Sequence, residues 1–260
     1  MRNLFLLGTA LAIATNVWAF GGIGLGPLQR HKSSGVDAIG VHIDANGDNT
    51  TPDITFVEPE CNTDEDCDIY AQKCVNGTCE SVCDAGLYMG DNDGNPYCYP
   101  VPNGNCNTNA NCNVGEYCEI AGDMDNNIPT SGTCQLVANN SLPISWHEQS
   151  LVRSKEGISW WSADNFCRAQ GKHLVHFREL GMSRPEGWCD GTEENCAGLT
   201  SEEWANLITS LQVNEELTAC GGVWVNEGND PGSAYYIEPG DGAAGDADMR
   251  PSTNSCALCK

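Results

Sequence analysis

Between Cys61 and Cys134 the chain places ten cysteines in 74 residues, with very few large aliphatic side chains among them. A segment of that composition cannot bury enough apolar surface to fold by itself, so covalent staples must replace the missing core. The compartment decides what those staples are. Arg2 supplies a short positive region, Leu4 to Val17 is mostly apolar, and Val17-Trp18-Ala19 ends in a small residue at a cleavage point. Residues 1–19 therefore read as a signal peptide, with the mature chain starting at Phe20. The apolar run is well short of the roughly 20 residues that span a bilayer, and no later segment comes closer, so no membrane insertion is expected. Export makes the sixteen cysteines disulfide candidates in a secreted, extracellular or cell-surface protein, or a periplasmic one if the source is bacterial.

The spacing divides the cysteine-rich region, residues 61–134, into two units. Cys61, Cys67, Cys74 and Cys79 follow C-x5-C-x6-C-x4-C, and Cys106, Cys112, Cys118 and Cys134 follow C-x5-C-x5-C-x15-C. "CNTDEDC" and "CNTNANC" agree at four of seven positions, which points to a duplicated unit at 61–83 and 106–134, the second with an insertion after Cys118. Asn76-Gly77 suits a tight hairpin turn. Cys83 and Cys98 lie between the copies and are candidates to bridge each other. Four cysteines allow three pairings per unit, and spacing alone does not choose among them.

The formal charge is −24, from 36 acidic and 12 basic residues. Nucleic acid and anionic membrane surfaces are thereby poor partners. The excess serves solubility, or else collects Ca²⁺ outside the cell through hard oxygen ligands. Three acidic triplets with alternate spacing occur: Asp44, Asn46 and Asp48; Asp91, Asp93 and Asn95; Asp123, Asp125 and Asn127. None continues as an EF-hand, because the sixth position is not Gly and the twelfth is not Glu. Asx-rich turns explain them more simply; Asp91, Asp93 and Asn95 stand as the candidate Ca²⁺ ligands. No cofactor is required by any motif in the chain.

Six of the seven tryptophans lie after residue 145, which places the conventional hydrophobic core there. Residues 20–60 read as an extended acidic arm, 135–141 as a linker and 142–260 as one domain. In that domain Ser162 is placed to cap a helix carrying Ala163, Phe166, Cys167 and Ala169 and ending at Gly171. A second helix opens on the capping box of Thr200 and Glu203 and sets Trp204, Leu207, Ile208 and Leu211 on one face. Strands are expected at "HLVHF" (173–177), "GVWVNE" (222–227), "AYYIE" (234–238) and "SCALC" (255–259). On a strand His173 and His176 would point to opposite faces, which argues against a metal pair. The fold class is α+β, with two helices and small antiparallel sheets behind a disulfide-rich, loop-dominated region.

"SWWSADNFCRAQGKHLV" and "SCALCK" resemble, in order, the two ends of a C-type-lectin-like domain: a Trp-rich entry, a helix with an Ala and a Cys, a Gly and a Leu-containing strand, and a last strand ending in Cys. The likeness covers roughly 115 residues. It implies that Cys167 pairs with Cys259, Cys220 with Cys256, and Cys189 with Cys196. Sugar-binding members hold Ca²⁺ with a Glu-Pro-Asn or Gln-Pro-Asp loop and a Trp-Asn-Asp strand; this chain has Glu238-Pro239-Gly240-Asp241 and Trp224-Val225-Asn226-Glu227, which departs from that order. The variable loops carry Glu227, Asn229, Asp230, Glu238 and Asp241, with Tyr235 or Tyr236 as an apolar platform; Glu227, Asn229, Asp230, Tyr236, Glu238 and Asp241 are the candidate ligand-binding residues.

No G-x-S-x-G, P-loop or H-E-x-x-H motif occurs. The expectation is a recognition or adhesion protein that binds a glycan or an extracellular protein and is not an enzyme, with the disulfide repeats as a stalk. A structural envelope or matrix component is the alternative, and a relative of formylglycine-type enzymes, which need reactive cysteines, is a third reading.

Overall fold

The computed structural model describes residues 59–92, 95–183, 189–190, 196–211, 220–238 and 243–260, excluding the side chains of residues 92, 95, 189, 190, 196 and 243–247. The signal peptide, nearly all of the acidic arm, Asp93 and Asp241 lie outside the described residues, as does the Cys189–Cys196 pairing. All described residues belong to one compact unit.

The two cysteine units are built alike. In each, the first two cysteines flank a single 3-10 turn, at Asp64–Asp66 and Asn109–Asn111, with Thr63 or Thr108 at the N-cap. Asp66 reaches back to the N–H groups of Asn62 and Thr63, at 2.7 and 2.9 Å, and Asn111 does the same for Asn107 and Thr108, at 2.9 and 3.1 Å. The recurring "CNT" sequence thus encodes a cap that satisfies donors a short turn leaves open. A hairpin follows: β1 (Gln72–Val75) with β2 (Thr78–Ser81) in the first unit, β5 (Glu116–Asp123) with β6 (Ile128–Leu136) in the second. The first turns on Asn76 and Gly77, both left-handed at φ 52° and 82°. The insertion after Cys118 is the lengthening of the second hairpin. Both units pair first cysteine with third and second with fourth: Cys61–Cys74 and Cys67–Cys79, then Cys106–Cys118 and Cys112–Cys134. Between them the hairpin of β3 (Leu87–Asn92) and β4 (Asn95–Pro100) is tied by Cys83–Cys98.

Residues 135–141 form the end of β6, one helical turn α1 (Val137–Asn140) and the start of β7 (Ser141–Trp146), rather than a linker. β8 (Gln149–Ser154), α2 (Trp160–Arg168), β9 (Cys189–Asp190), α3 (Ser201–Leu211), β10 (Gly222–Gly228), β11 (Ser233–Glu238), β12 (Ala243–Met249) and β13 (Ser255–Cys259) complete the α+β architecture. Seven strands make one sheet in the order β7-β8-β13-β10-β11-β12-β9, antiparallel except where β13 lies parallel to β10. The period-2 alternation of these strands separates two cores. Trp224, Ala234, Ala257 and Cys259 pack with Trp160, Trp161, Phe166 and Cys167 of α2. Val223, Val225, Ile237, Cys256 and Leu258 pack with Trp204, Leu207 and Leu211 of α3. Arg153, buried on β8, donates to the carbonyl of Leu211 at the C-terminus of α3, where a cation complements the helix dipole. Burial pushes its pKa down to about 10.

Four further expectations are corrected. The core is not confined to the chain after residue 145: Met89, Val101, Tyr117 and Ile120 join the α2 core, so the disulfide region packs on the domain instead of standing off as a stalk. The polar face of α2 explains why. Ser162 Oγ accepts from Ile120 N at 2.7 Å, Ser159 Oγ donates to Ile120 O at 2.6 Å, Asn165 donates to Cys118 O at 2.9 Å and Trp161 Nε1 donates to Met89 O at 3.0 Å. Second, because Ser162 is engaged by β5, the N-cap of α2 is Ser159, whose Oγ accepts from Ser162 N at 3.2 Å, and the helix begins at Trp160. Third, "HLVHF" is no strand. Val175 N donates to Leu258 O and Val175 O accepts from Asn226 N, so one residue links β13 to β10 before the chain winds into a 3-10 turn at Phe177–Leu180. Fourth, Tyr235 is a core residue and no platform; it is 7% exposed against Phe177.

Candidate functional site

The candidate ligand-binding residues separate into three places. Tyr236 and Glu238 line a cleft of about 240 Å³ at the starts of β10 and β13, with Gly222, Asp248, Asn254 and Ser255. Gly222 lets the Tyr236 ring pack against the backbone here: an added Cβ would run into that ring and come within 2.8 Å of Ile237 O. The ring is also fixed edge-on to Trp224, at 6.0 Å between centroids, and Trp224 is itself held by donation to Ile158 O at 2.7 Å. Tyr236 Oη lies 3.5 Å from Glu238 Oε2, and Asp248 Oδ1 accepts from Met249 N at 2.8 Å. A rigid aromatic edge beside two carboxylates and an amide suits a small polyhydroxy or amine ligand, whose donors meet the oxygens while its apolar face covers the ring. Asp248 and Asn254 were not singled out from sequence. Asp248 comes opposite Ala234 through the β11–β12 register and Asn254 precedes β13, so neither carries a local motif.

Glu227 belongs elsewhere, to a buried polar network under the first disulfide unit. Its Oε1 accepts from Phe177 N at 3.0 Å and lies 3.3 Å from Nδ1 of the fully buried His176. Asn226, also fully buried, places Nδ2 3.3 Å from His176 Nε2 and 3.5 Å from Glu60 Oε1. Glu60 in turn receives both guanidinium nitrogens of Arg168, at 2.8 and 2.9 Å. Because 173–177 is not a strand, His173 and His176 are neighbours, with ring centroids 5.8 Å apart, and with Glu179 they form a cluster whose ligand atoms could hold a metal ion. Ion pairing occupies it: Glu179 meets His173 Nε2 at 3.0 Å and Lys260 Nζ at 3.3 Å, and accepts from His176 N at 2.9 Å.

Burial alone would raise the Glu179 carboxyl, but the hydrogen bond and charge of His173 and the His176 N–H overcome it and hold the group at about 2. A depressed folded-state pKa contributes stability that is complete above the ordinary value of 4.5 and is lost as pH falls toward 2. Glu179→Gln should therefore cost on the order of 3 kcal/mol at pH 7 and flatten the stability profile between those two values. Urea denaturation at a series of pH values measures it; parallel profiles for the variant and the parent protein would remove the assigned role.

Asn229 and Asp230 form the tip of the β10–β11 hairpin, where Asp230 Oδ1 accepts from Gly232 N at 2.7 Å. Asp91, the described member of the first-choice Ca²⁺ set, reaches this tip from β3: its Cβ is 3.2 Å from where a Cβ on Gly232 would sit. Asn95 has no described side chain, so Asp91, Asp93 and Asn95 are not seen as one ligand set. Of the third triplet, Asp123 makes the Asx turn, accepting from Asp125 N at 2.9 Å and Asn126 Nδ2 at 2.7 Å, whereas Asn127 turns inward and is 1% exposed.

Cys167 is bonded to Cys259, with Cα atoms 5.3 Å apart, and Cys220 to Cys256. Among the described residues no cysteine is free, and no helix is long and apolar enough to cross a membrane. No family model matches the chain, and no solved structure matches it. Over 99 residues it is 32% identical to the human protein described as C-type lectin domain family 10 member A, an overlap that takes in 29% of this chain and 29% of that protein. The chain thus matches less than a third of the length of that curated relative, a distant and partial likeness to a C-type lectin domain protein.

Proposed function

We propose that the chain is an extracellular recognition protein in which residues 142–260 form a C-type-lectin-like domain that binds a glycan or a protein, with the cleft at Tyr236, Glu238, Asp248 and Asn254 as its contact surface. The observation that carries the reading is the partial likeness to a C-type lectin domain protein, together with a cleft that presents an immobilised aromatic edge beside acidic acceptors. Density of disulfides supports a location outside the cell. The engagement of the described cysteines in disulfides favours binding over thiol chemistry.

The test is binding of the oxidised chain to glycan and extracellular-protein arrays, with Ca²⁺ and with chelator. A captured ligand is expected to lose at least about tenfold in affinity on Glu238→Gln or Asp248→Asn, the loss of one charge-assisted contact of ~1.5 kcal/mol. Binding that survives both substitutions would move the contact surface elsewhere. Absence of any hit under both conditions would favour a structural envelope or matrix component.

A further inference from the structure

The tips of three hairpins that are remote in sequence meet at one place. Asp91 is the next-to-last residue of β3, Asn127 lies in the turn from β5 to β6, and Asp230 lies in the turn from β10 to β11. Gly232 marks the centre: an added Cβ there would collide with the Asn127 side-chain amide, and would stand 3.2 Å from Asp91 Cβ and 3.4 Å from Asp230 Oδ1. Asn127 is oriented by its own Nδ2, which donates to Gly232 O at 2.9 Å. That leaves its Oδ1 buried without a hydrogen-bond donor, and Asp91 Oδ1 is buried in the same condition.

A buried oxygen without a donor costs about 1–3 kcal/mol, more for a carboxylate. Two such oxygens belong to residues that meet around Gly232, together with the Asp230 carboxylate, whose Oδ1 accepts from Gly232 N at 2.7 Å. The nearby cation does not serve them: Arg250 directs its Nε and Nη2 to the carbonyls of Pro231 and Asp230 and its Nη1 to Asp68. An acceptor-only set of carboxylate and amide oxygens is the chemistry of a hard cation. Ligands drawn from three separate turns favour the irregular, water-completed shell of Ca²⁺ over the strict octahedron of Mg²⁺.

We propose that Asp91, Asn127 and Asp230 bind one Ca²⁺ ion that joins the tips of the β3–β4, β5–β6 and β10–β11 hairpins. The site stands at the opposite end of β11 from Glu238, so it does not depend on the cleft or on a glycan. Its ligands come from both the disulfide region and the sheet, and the ion would fasten one to the other.

The experiment is titration of the chelator-treated, oxidised full chain with CaCl₂ by calorimetry, paired with thermal melts in Ca²⁺ and in chelator. One ion is expected, with an affinity in the ~10⁻⁴–10⁻³ M range usual for extracellular modules, and a higher melting midpoint in Ca²⁺. Asp91→Asn and Asp230→Asn should each weaken that affinity at least about tenfold and shrink the Ca²⁺-induced shift, whereas Asp123→Asn, on the same β5–β6 tip but outside the ligand set, should leave both unchanged. The readout is the difference between Ca²⁺ and chelator, so a loss of baseline stability in one variant does not obscure it. No uptake by the parent chain up to about 10 mM, or wild-type affinity in both Asp91→Asn and Asp230→Asn, would overturn the proposal.

Discussion

Asp68→Asn or Arg250→Met is expected to destabilise the oxidised chain by about 3–5 kcal/mol, because each leaves one buried charge without its partner. Both side chains are fully buried, with Arg250 Nη1 2.8 Å from Asp68 Oδ2. Around the pair the remaining polar atoms are well supplied. Asp68 Oδ1 accepts from Tyr70 N and Ala71 N at 3.1 and 3.2 Å, and the guanidinium lies 4.4 Å from the Trp160 ring centroid. Asn at position 68 keeps the acceptor and removes the charge, so that variant isolates the electrostatic part. The pair also joins two regions, since Asp68 sits in the first disulfide unit and Arg250 follows β12. Replacing both, Asp68→Asn with Arg250→Met, should cost clearly less than the sum of the single changes, with a coupling of about 2 kcal/mol or more. Urea denaturation gives each number. Single changes that cost less than about 1 kcal/mol would mean that the disulfide unit contributes little to the cooperative core.

That ion pair also indicates what the sequence could and could not convey. Features written within a few residues were legible: the Thr200–Glu203 cap of α3, whose Oε2 takes Thr200 N at 2.9 Å, the Asn76-Gly77 turn, and the strands β10, β11 and β13. Their determinants are local, so spacing and residue type suffice. Features set by partners far along the chain were not. Nothing near Ser162 announces Ile120, and nothing near Arg250 announces Asp68. "HLVHF" reads as a strand because its composition suits one, yet its backbone bonds are divided between two other strands, which no local pattern expresses. The site followed the same rule. Tyr236 and Glu238, two apart on one strand, fell in one cleft, while Glu227, Asn229 and Asp230, adjacent in sequence, were separated by the bend at the end of β10. The Asp123, Asp125 and Asn127 triplet reads as an Asx-rich turn, and only the fold turns Asn127 inward.

The second large effect concerns Cys167 and Cys259. Replacing both by Ala should cost about 4–5 kcal/mol, the chain-entropy value for a bridge that closes a loop of this size. Their sequence separation is 92, against 13 for Cys61–Cys74. On the same model the two double replacements should differ by about 2 kcal/mol, since the cost grows as 1.5RT times the logarithm of loop length. The position of β13 sharpens the expectation. It lies inside the sheet, antiparallel to β8 on one side and parallel to β10 on the other. Without its tie to α2, release of β13 would expose the centre of the sheet before either edge. Amide hydrogen exchange should therefore show β13 losing protection ahead of β11 in the variant, while the Cys61/Cys74 variant retains protection across the sheet. Equal costs for the two disulfides would argue that contacts of the sulfur atoms in the core, rather than chain entropy, set their value, and uniform loss of protection would assign β13 to the global unfolding unit instead.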